Sequence, residues 1–313
     1  MTESAPLYNE LAEAPETGRA FWLTSGRRRI RAAIWDEGTR GTVLIFTGRT
    51  EYIEKYGRVI SLLVERGFSV ATLDWRGQGL SERPLGDRMK GHVGGFAAYQ
   101  RDIGAFLAAP QVMALPGRRV LICHSMGGCI GVRALLDELV EPAATIMTAP
   151  MLGLAMKPIT RLAARGMIAF ARRFGFETSF TPAPHASRPY VLHQDFEGNV
   201  LTGDSDHYEW FRKHLEAESG FGLGAPTLGW MAEAFDETEA LAAAPAPSGP
   251  MLIMLGGDEA VVEPTAIRSL AAKSPVCRLM EIKGARHEIF FETPLIRQRA
   301  WAGIDRFLVE NGV

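Results

Sequence analysis

Apolar positions along the chain fall into two rhythms. Short, nearly continuous runs rich in Val, Ile, Leu and Phe occur at Arg28–Trp35 (RRIRAAIW), Thr42–Phe46 (TVLIF), 68–75 (FSVATLDW) and 119–123 (RVLIC), and again at 144–147, 252–255 and 278–282. Runs of this length and composition, bounded by turn residues such as Asp36-Glu37-Gly38, predict strands. Between them, 56–66 places Val59, Ile60, Leu62, Leu63 and Val64 at helical spacing, and 96–107, 127–139 and 294–309 follow the same period. Continuous apolar strands alternating with helices predict an α/β fold: a mostly parallel central sheet with helices on both faces.

The alternation breaks between about 150 and 250, where helical patterns and turns continue without a strand–helix–strand unit. The stretch leaves through AAAPAPSGP, a flexible composition. The expected organisation is therefore a core of residues 21–150 and 250–313, interrupted by an inserted, mainly helical cap over 151–249. Within the cap, 157–174 sets Ile159, Ala163, Met167, Phe170 and Phe174 on one face and Arg161, Arg165 and Arg172 on another. Such a helix is expected to pack its apolar face on the core and leave its arginines in water; a basic amphipathic helix can also lie on an anionic membrane surface.

Composition adds mainly exclusions. With 47% hydrophobic and 22% charged residues and a formal net charge of −2, the chain has no global field to hold nucleic acid, and none is expected as a partner. Cys123, Cys129 and Cys277 are too few and too scattered for a disulfide framework or a paired-cysteine metal site. The acidic start, MTESAPLYNELAEAP, does not read as a signal peptide, and no uncharged apolar run is long enough for a membrane span. These features predict a cytoplasmic protein, at most peripheral on the inner face of a membrane.

The chemistry concentrates at LICHSMGG (121–128). A strand runs into a helix start of small residues with Ser125 at the corner. In such a nucleophile elbow the residues two before and two after the serine must be small, and the hydroxyl stands at the carboxyl edge of the sheet. Gly127 meets the rule; Cys123 replaces the usual glycine. A serine needs a histidine to take its proton and a carboxylate to orient that histidine, in the chain order serine, acid, histidine. Strand 252–255 ends in Gly256-Gly257-Asp258, and strand 278–282 is followed by Lys283-Gly284-Ala285-Arg286-His287. Ser125, Asp258 and His287 are therefore the expected triad; Glu259 adjoins Asp258, but the strand–glycine–glycine–acid pattern favours Asp258.

An oxyanion needs backbone donors. Met126, after the nucleophile, supplies one, and Arg49, after the Thr47-Gly48 turn that follows the first long strand, is expected to supply the other. His124 is expected to point away from the hydroxyl and pack. His185, His193, His207 and His214 lack metal-ligand spacing, so no metal is assigned, and the chemistry requires no cofactor.

With these residues in place the chain resembles the bacterial lysophospholipase and monoacylglycerol lipase branch of the α/β-hydrolases. The matching stretches are FTGRTEYIEKY (46–56), LDWRGQGLSER (73–83), GHVGGF (91–96), HSMGG (124–128), GGDEAVV (256–262) and ARHEIFFE (285–292), with LTGDSDHYEW (201–210) and PTLGWMAEAF (226–235) in the cap. Within the branch, TGRTEY lacks the histidine of the usual His-Gly oxyanion turn and looks closer to the lysophospholipases. The resemblance implies the α/β-hydrolase fold, a structural role for Arg76, Gly77 and Gly79, and hydrolysis of an acyl ester of a lysophospholipid or monoacylglycerol through an acyl-enzyme. Trp210, Trp230 and Phe170 are expected to contact the acyl chain. The alternatives are a general esterase or peptidase-like hydrolase for small soluble substrates, and a non-catalytic ligand-binding protein on the same fold.

Overall fold

The computed structural model describes residues 3–313. Eight strands form one sheet in the order β1-β2-β4-β3-β5-β6-β7-β8. They are β1 (Arg19–Ser25), β2 (Arg28–Trp35), β3 (Thr42–Phe46), β4 (Ser69–Leu73), β5 (Arg119–His124), β6 (Ala144–Thr148), β7 (Met251–Gly256) and β8 (Cys277–Ile282). β2 runs antiparallel to β1 and β4, and every other pairing is parallel. The sheet is the expected mostly parallel one and includes one strand, β1, that the apolar runs did not predict. Its sequence, RAFWLTS, is interrupted by charge and polarity because it forms an edge, paired along its length only with β2 and on its outer side by a single bridge to the Glu3–Ala5 segment.

β3, β4, β6 and β7 are buried at every position. Successive side chains enter opposite cores: Leu44 and Phe46 join one cluster with Trp75, Leu121 and Met147, while Val43 and Ile45 join the other with Tyr56, Ile122 and Ile304. A strand buried on both faces has no polar alternation, which is why these segments read as continuous apolar runs.

Between β6 and β7 the chain is helical, with major helices at Pro158–Phe174, Ser205–Ala217 and Leu228–Ala243. This insertion shares the two main cores. Tyr208, Trp210, Phe211 and Leu215 pack with Tyr52, Tyr56 and Phe291, and Trp230, Ala234 and Leu241 pack with Phe96 and Tyr99. A small separate cluster of Ile168, Ala232 and Phe235 joins two insertion helices.

Helix Pro158–Phe174 does not pack its apolar face on the core as expected, although Arg165 and Arg172 are exposed. Ile159, Leu162, Phe170 and Phe174 lie in solvent, at 55% exposure or more, while Ile168 and Ala171 are buried. Arg165 pairs with Glu239, and Arg172 with Asp236 and Glu233, all on helix Leu228–Ala243. The side that meets the neighbour is the one bearing Ile168 and Ala171, flanked by these ion pairs, whose arginines stay exposed, and the aromatic face is left uncovered.

Two insertion histidines are buried against the core. His214 donates from Nε2 to Leu11 O at 2.6 Å, and Arg297 Nη1 lies 2.9 Å from the His207 ring, beside Asp204. Burial holds both imidazoles down to about 4, against 6.5 ordinarily; at His207 the Arg297 charge adds to it. Between pH 6.5 and 4 the unfolded chain thus binds protons that the folded chain excludes, so stability is lost as pH falls through that window. The urea midpoint should drop between pH 7 and pH 5, and His207→Gln with His214→Gln should flatten that slope; an equally steep slope in the double variant would assign the effect elsewhere.

Candidate active site

Parallel strands deliver the reacting groups to one edge. β5 ends at His124, so Ser125 stands at the corner before helix Met126–Leu136. Ser125 has φ 50° and ψ −117°, a strained conformation for a residue with a Cβ. It is held by Ser125 N–H to Thr148 O (3.1 Å) and by Met151 and Gly128 N–H to Ser125 O (both 2.8 Å). The small-residue rule has a direct cause here: a Cβ on Gly127 would lie 2.1 Å from Phe46 O. Cys123 is accommodated because Gly131 faces it, where a Cβ would come within 2.5 Å of its Sγ. Its thiol is fully buried and raised well above the ordinary range by that burial, so it fills space as a neutral group.

The acid partner differs from the sequence expectation. His287 Nδ1 donates to Glu259 Oε2 at 2.9 Å, and the Glu259 side chain is completely shielded. Asp258 is solvent-exposed and makes no hydrogen bond or ion pair with His287; its backbone N–H donates to Ala285 O. After Gly256-Gly257 the turn carries Asp258 outward, and the Val261 and Val262 N–H groups secure Glu259 Oε1 at 2.7 and 3.1 Å. Burial pushes the Glu259 carboxyl up, but the His287 hydrogen bond and these donors outweigh it and hold it below the usual range. With Nδ1–H committed to a carboxylate, His287 presents Nε2 as an acceptor.

Ser125 and His287 line one cavity of about 410 Å³. Its wall is largely apolar, including Met151, Leu154, Val191, Leu201, Phe211 and Leu215. Trp230 lines it as expected, whereas Trp210 and Phe170 do not. Helical geometry explains Trp210: Phe211 and Leu215 face the cavity, which turns Trp210 into the core beside His214 (centroids 4.3 Å) and Arg58. Phe170 belongs to the outward aromatic face, against Phe174 and Phe176.

The Arg49 N–H and the Met126 N–H, the latter at the start of its helix, have no acceptor among the described residues. The turn bearing Arg49 is secured by Glu51, whose Oε2 accepts the Gly48 N–H and the Tyr56 hydroxyl (2.8 Å). Lys55 Nζ joins Glu51 Oε1 (2.5 Å) to Glu288 Oε1 (2.7 Å), and His124 Nε2 lies 3.4 Å from Glu288 Oε2. Burial disfavours charge on His124, yet Glu288 and Glu51 outweigh it and raise its pKa; Glu288 is held far below the usual carboxylate range against its own burial, chiefly by Lys55 and His124. Glu51, His124 and Glu288 offer three ligand-type atoms within 4.8 Å, but the Lys55 ammonium already supplies positive charge between the two carboxylates. Sequence reading found His124 as a packing residue but missed this cluster, whose members come from three segments. His124 also packs on His287, with centroids 4.8 Å apart.

The triad geometry separates the two acids. Glu259→Gln should lower kcat about 10³-fold or more, the scale seen when the partner of a catalytic histidine loses its charge, and Asp258→Asn should stay within a few-fold of wild type. Steady-state ester hydrolysis measures both, and the reverse order would return the role to Asp258.

The fold agrees with the comparisons to known proteins. The Hydrolase_4 family, described as serine aminopeptidase S33, matches residues 37–294. Lysophospholipase L2 of Escherichia coli K12 is 32% identical over 280 residues, covering 85% of this chain and 79% of that protein. A probable lysophospholipase L2 of Haemophilus influenzae is 24% identical over 91% of this chain and 90% of its own length. Among solved structures, a soluble variant of the monoglyceride lipase of Saccharomyces cerevisiae superposes with a TM-score of 0.72 at 18% identity, covering 93% of this chain and 94% of that chain. A thermostable carboxyl esterase of Bacillus coagulans gives 0.72 at 16% identity, over 96% of this chain and all of its own. The chain belongs to the Hydrolase_4 (serine aminopeptidase S33) family and is a hydrolase of the α/β-hydrolase fold.

Proposed function

We propose that the chain is a serine carboxylic-ester hydrolase that cleaves the acyl ester of a lysophospholipid or monoacylglycerol. The observation that carries this reading is the apolar cavity with Ser125 and the His287–Glu259 pair on one wall. An acyl chain suits such a lining, whereas a small polar ester or peptide leaves most of it unused. The lysophospholipases among the relatives favour the same substrate class.

In the proposed reaction Ser125 Oγ attacks the ester carbonyl and its proton passes to His287 Nε2. Glu259 stabilises the imidazolium, and the Arg49 and Met126 N–H groups receive the oxyanion. His287 returns the proton to the leaving alcohol, giving an acyl-Ser125. A water, deprotonated by His287, then releases the fatty acid and restores the serine. The insertion acts as a lid, since Trp230, Phe211 and Leu215 from its helices close the cavity. The uncovered Ile159, Leu162, Phe170, Phe174 and Phe176 would meet a lipid surface peripherally; among the described residues no helix is long and apolar enough to cross a membrane.

Fatty-acid release from nitrophenyl butyrate, nitrophenyl laurate, a lysophospholipid and a monoacylglycerol tests the reading. Ser125→Ala should abolish release, and kcat/KM should rise at least about tenfold from butyrate to laurate, since each buried methylene is worth about 0.8 kcal/mol and burying two of the added ones suffices for that. Preference for butyrate would favour a general esterase, and serine-independent release would sink the mechanism. For the lid face, Leu162→Asp with Phe170→Asp should reduce sedimentation with anionic phospholipid vesicles while leaving laurate hydrolysis within a few-fold.

A further inference from the structure

Charged groups lining the cavity are mutually compensated with one exception. Lys55 is shared between Glu51 and Glu288, His124 faces Glu288, and His287 holds Glu259. Arg49 is a lining residue of the same cavity, and its guanidinium has no carboxylate within ion-pair distance among the described residues. Its Nη2 donates to Gly224 O at 2.7 Å, and its Nε is sealed from water without any acceptor. The Trp230 ring lies 5.2 Å from its centre.

The fold makes room for this cation deliberately. A Cβ on Gly91 would sit 2.1 Å from Nη2, so a side chain there would push the guanidinium from its present place. Gly91 and the 224–227 segment are themselves fixed by Thr227 N–H to Gly91 O (2.9 Å) and Gly224 N–H to Met89 O (2.8 Å). A guanidinium among apolar walls without a counter-ion is unfavourable, and burial pulls its pKa down to about 10. A positioned but unmatched cation in a substrate cavity calls for an anion on the ligand.

The location says which anion. Arg49 carries the proposed oxyanion N–H on its backbone, so its guanidinium stands one extended side chain from the reacting carbonyl. In a lysophospholipid the phosphate stands one glycerol from the ester, a comparable span. We propose that the Arg49 guanidinium binds the phosphate of the substrate's head group and makes the site selective for phosphate-bearing lysolipids over neutral monoacylglycerols. This rests on the ester-hydrolase reading above for its orientation, with the ester at Ser125 and the head group under Trp230.

Binding can be separated from turnover in the full chain carrying Ser125→Ala. The probes are an ether-linked lysophosphatidylglycerol, an alkylglycerol of the same chain, and the free fatty acid, titrated by calorimetry. The phosphate-bearing ether should bind at least about tenfold tighter than the alkylglycerol, the scale of a charge-assisted bidentate contact. Adding Arg49→Met should erase that difference and Arg49→Lys should retain part of it. Gly91→Ala, which crowds the guanidinium without removing its charge, should also reduce it and serves if Arg49→Met does not fold. Equal affinity for the two ethers, a difference that survives Arg49→Met, or an arginine-dependent preference for the fatty-acid carboxylate would each overturn the proposal. Ester hydrolysis by the wild type is read alongside. Serine-dependent cleavage without phosphate preference leaves the esterase reading standing alone; phosphate-selective binding without cleavage does the reverse.

Discussion

The site depends on one backbone constraint, the turn at Ser125 between β5 and helix Met126–Leu136. A φ of 50° at a residue with a side chain costs on the order of 1–3 kcal/mol and persists only where neighbours enforce it. Here the β6 edge does so through Thr148 O, while Met151 N–H returns to Ser125 O. Gly127 lets the helix start pass within contact of Phe46 O, bringing β3 and its following turn against the same corner. The serine, the turn bearing Arg49 and the start of the insertion are thus set by contacts of the short Ser125–Gly127 corner. Cys123 and Gly131 share the space behind it as a large–small pair, which is how a cysteine stands where glycine is usual.

A second constraint is electrostatic. Glu51, Lys55, Glu288 and His124 are all buried, and buried charges require partners with good geometry. Their bonds run between the β3 turn, the residue before the nucleophile and the residue after His287, so the compensation of charge also ties the three loops together. Removing one partner would leave an unpaired buried charge and loosen the turn that presents the Arg49 N–H. Arg49 itself sits outside this balance, which is what distinguishes its guanidinium from the structural charges beside it.

Much of the fold was legible because parallel strands covered on both faces are written as unbroken apolar runs, and their ends mark the functional edge. Ser125 and His287 could be read from such ends, and the structure brings both to one cavity. Asp258 and Glu259 were harder. Both follow the same strand, and their neighbours in sequence are equivalent; the donors at Val261 and Val262 and the direction of the glycine turn turn Glu259 inward. A hydrophobic residue two or three places beyond an acid pair is a weak local signal, and no motif rule weighs it. The charge cluster was not legible either, since its members are brought together by tertiary structure alone.

The insertion makes the same point about faces. The periodicity of 157–174 correctly separates an apolar from a cationic face, but periodicity carries no information about which face meets the protein. That is decided by the partner. Helix Leu228–Ala243 presents Glu233, Asp236 and Glu239 on the side toward it, so Arg165 and Arg172 pair along its flank while remaining exposed, and the phenylalanines point outward. Exposed ion pairs of this kind are individually worth less than about 1 kcal/mol, far below the cost of leaving several large apolar side chains in water. The pairs alone therefore do not account for the orientation of this helix. The rest comes from apolar packing on the buried side, where Ile168 sits with Ala232 and Phe235 and is flanked by Leu154, Met156 and Met231, so the face that meets the protein is chosen by the shape and apolar surface of the partner as well as by its charge.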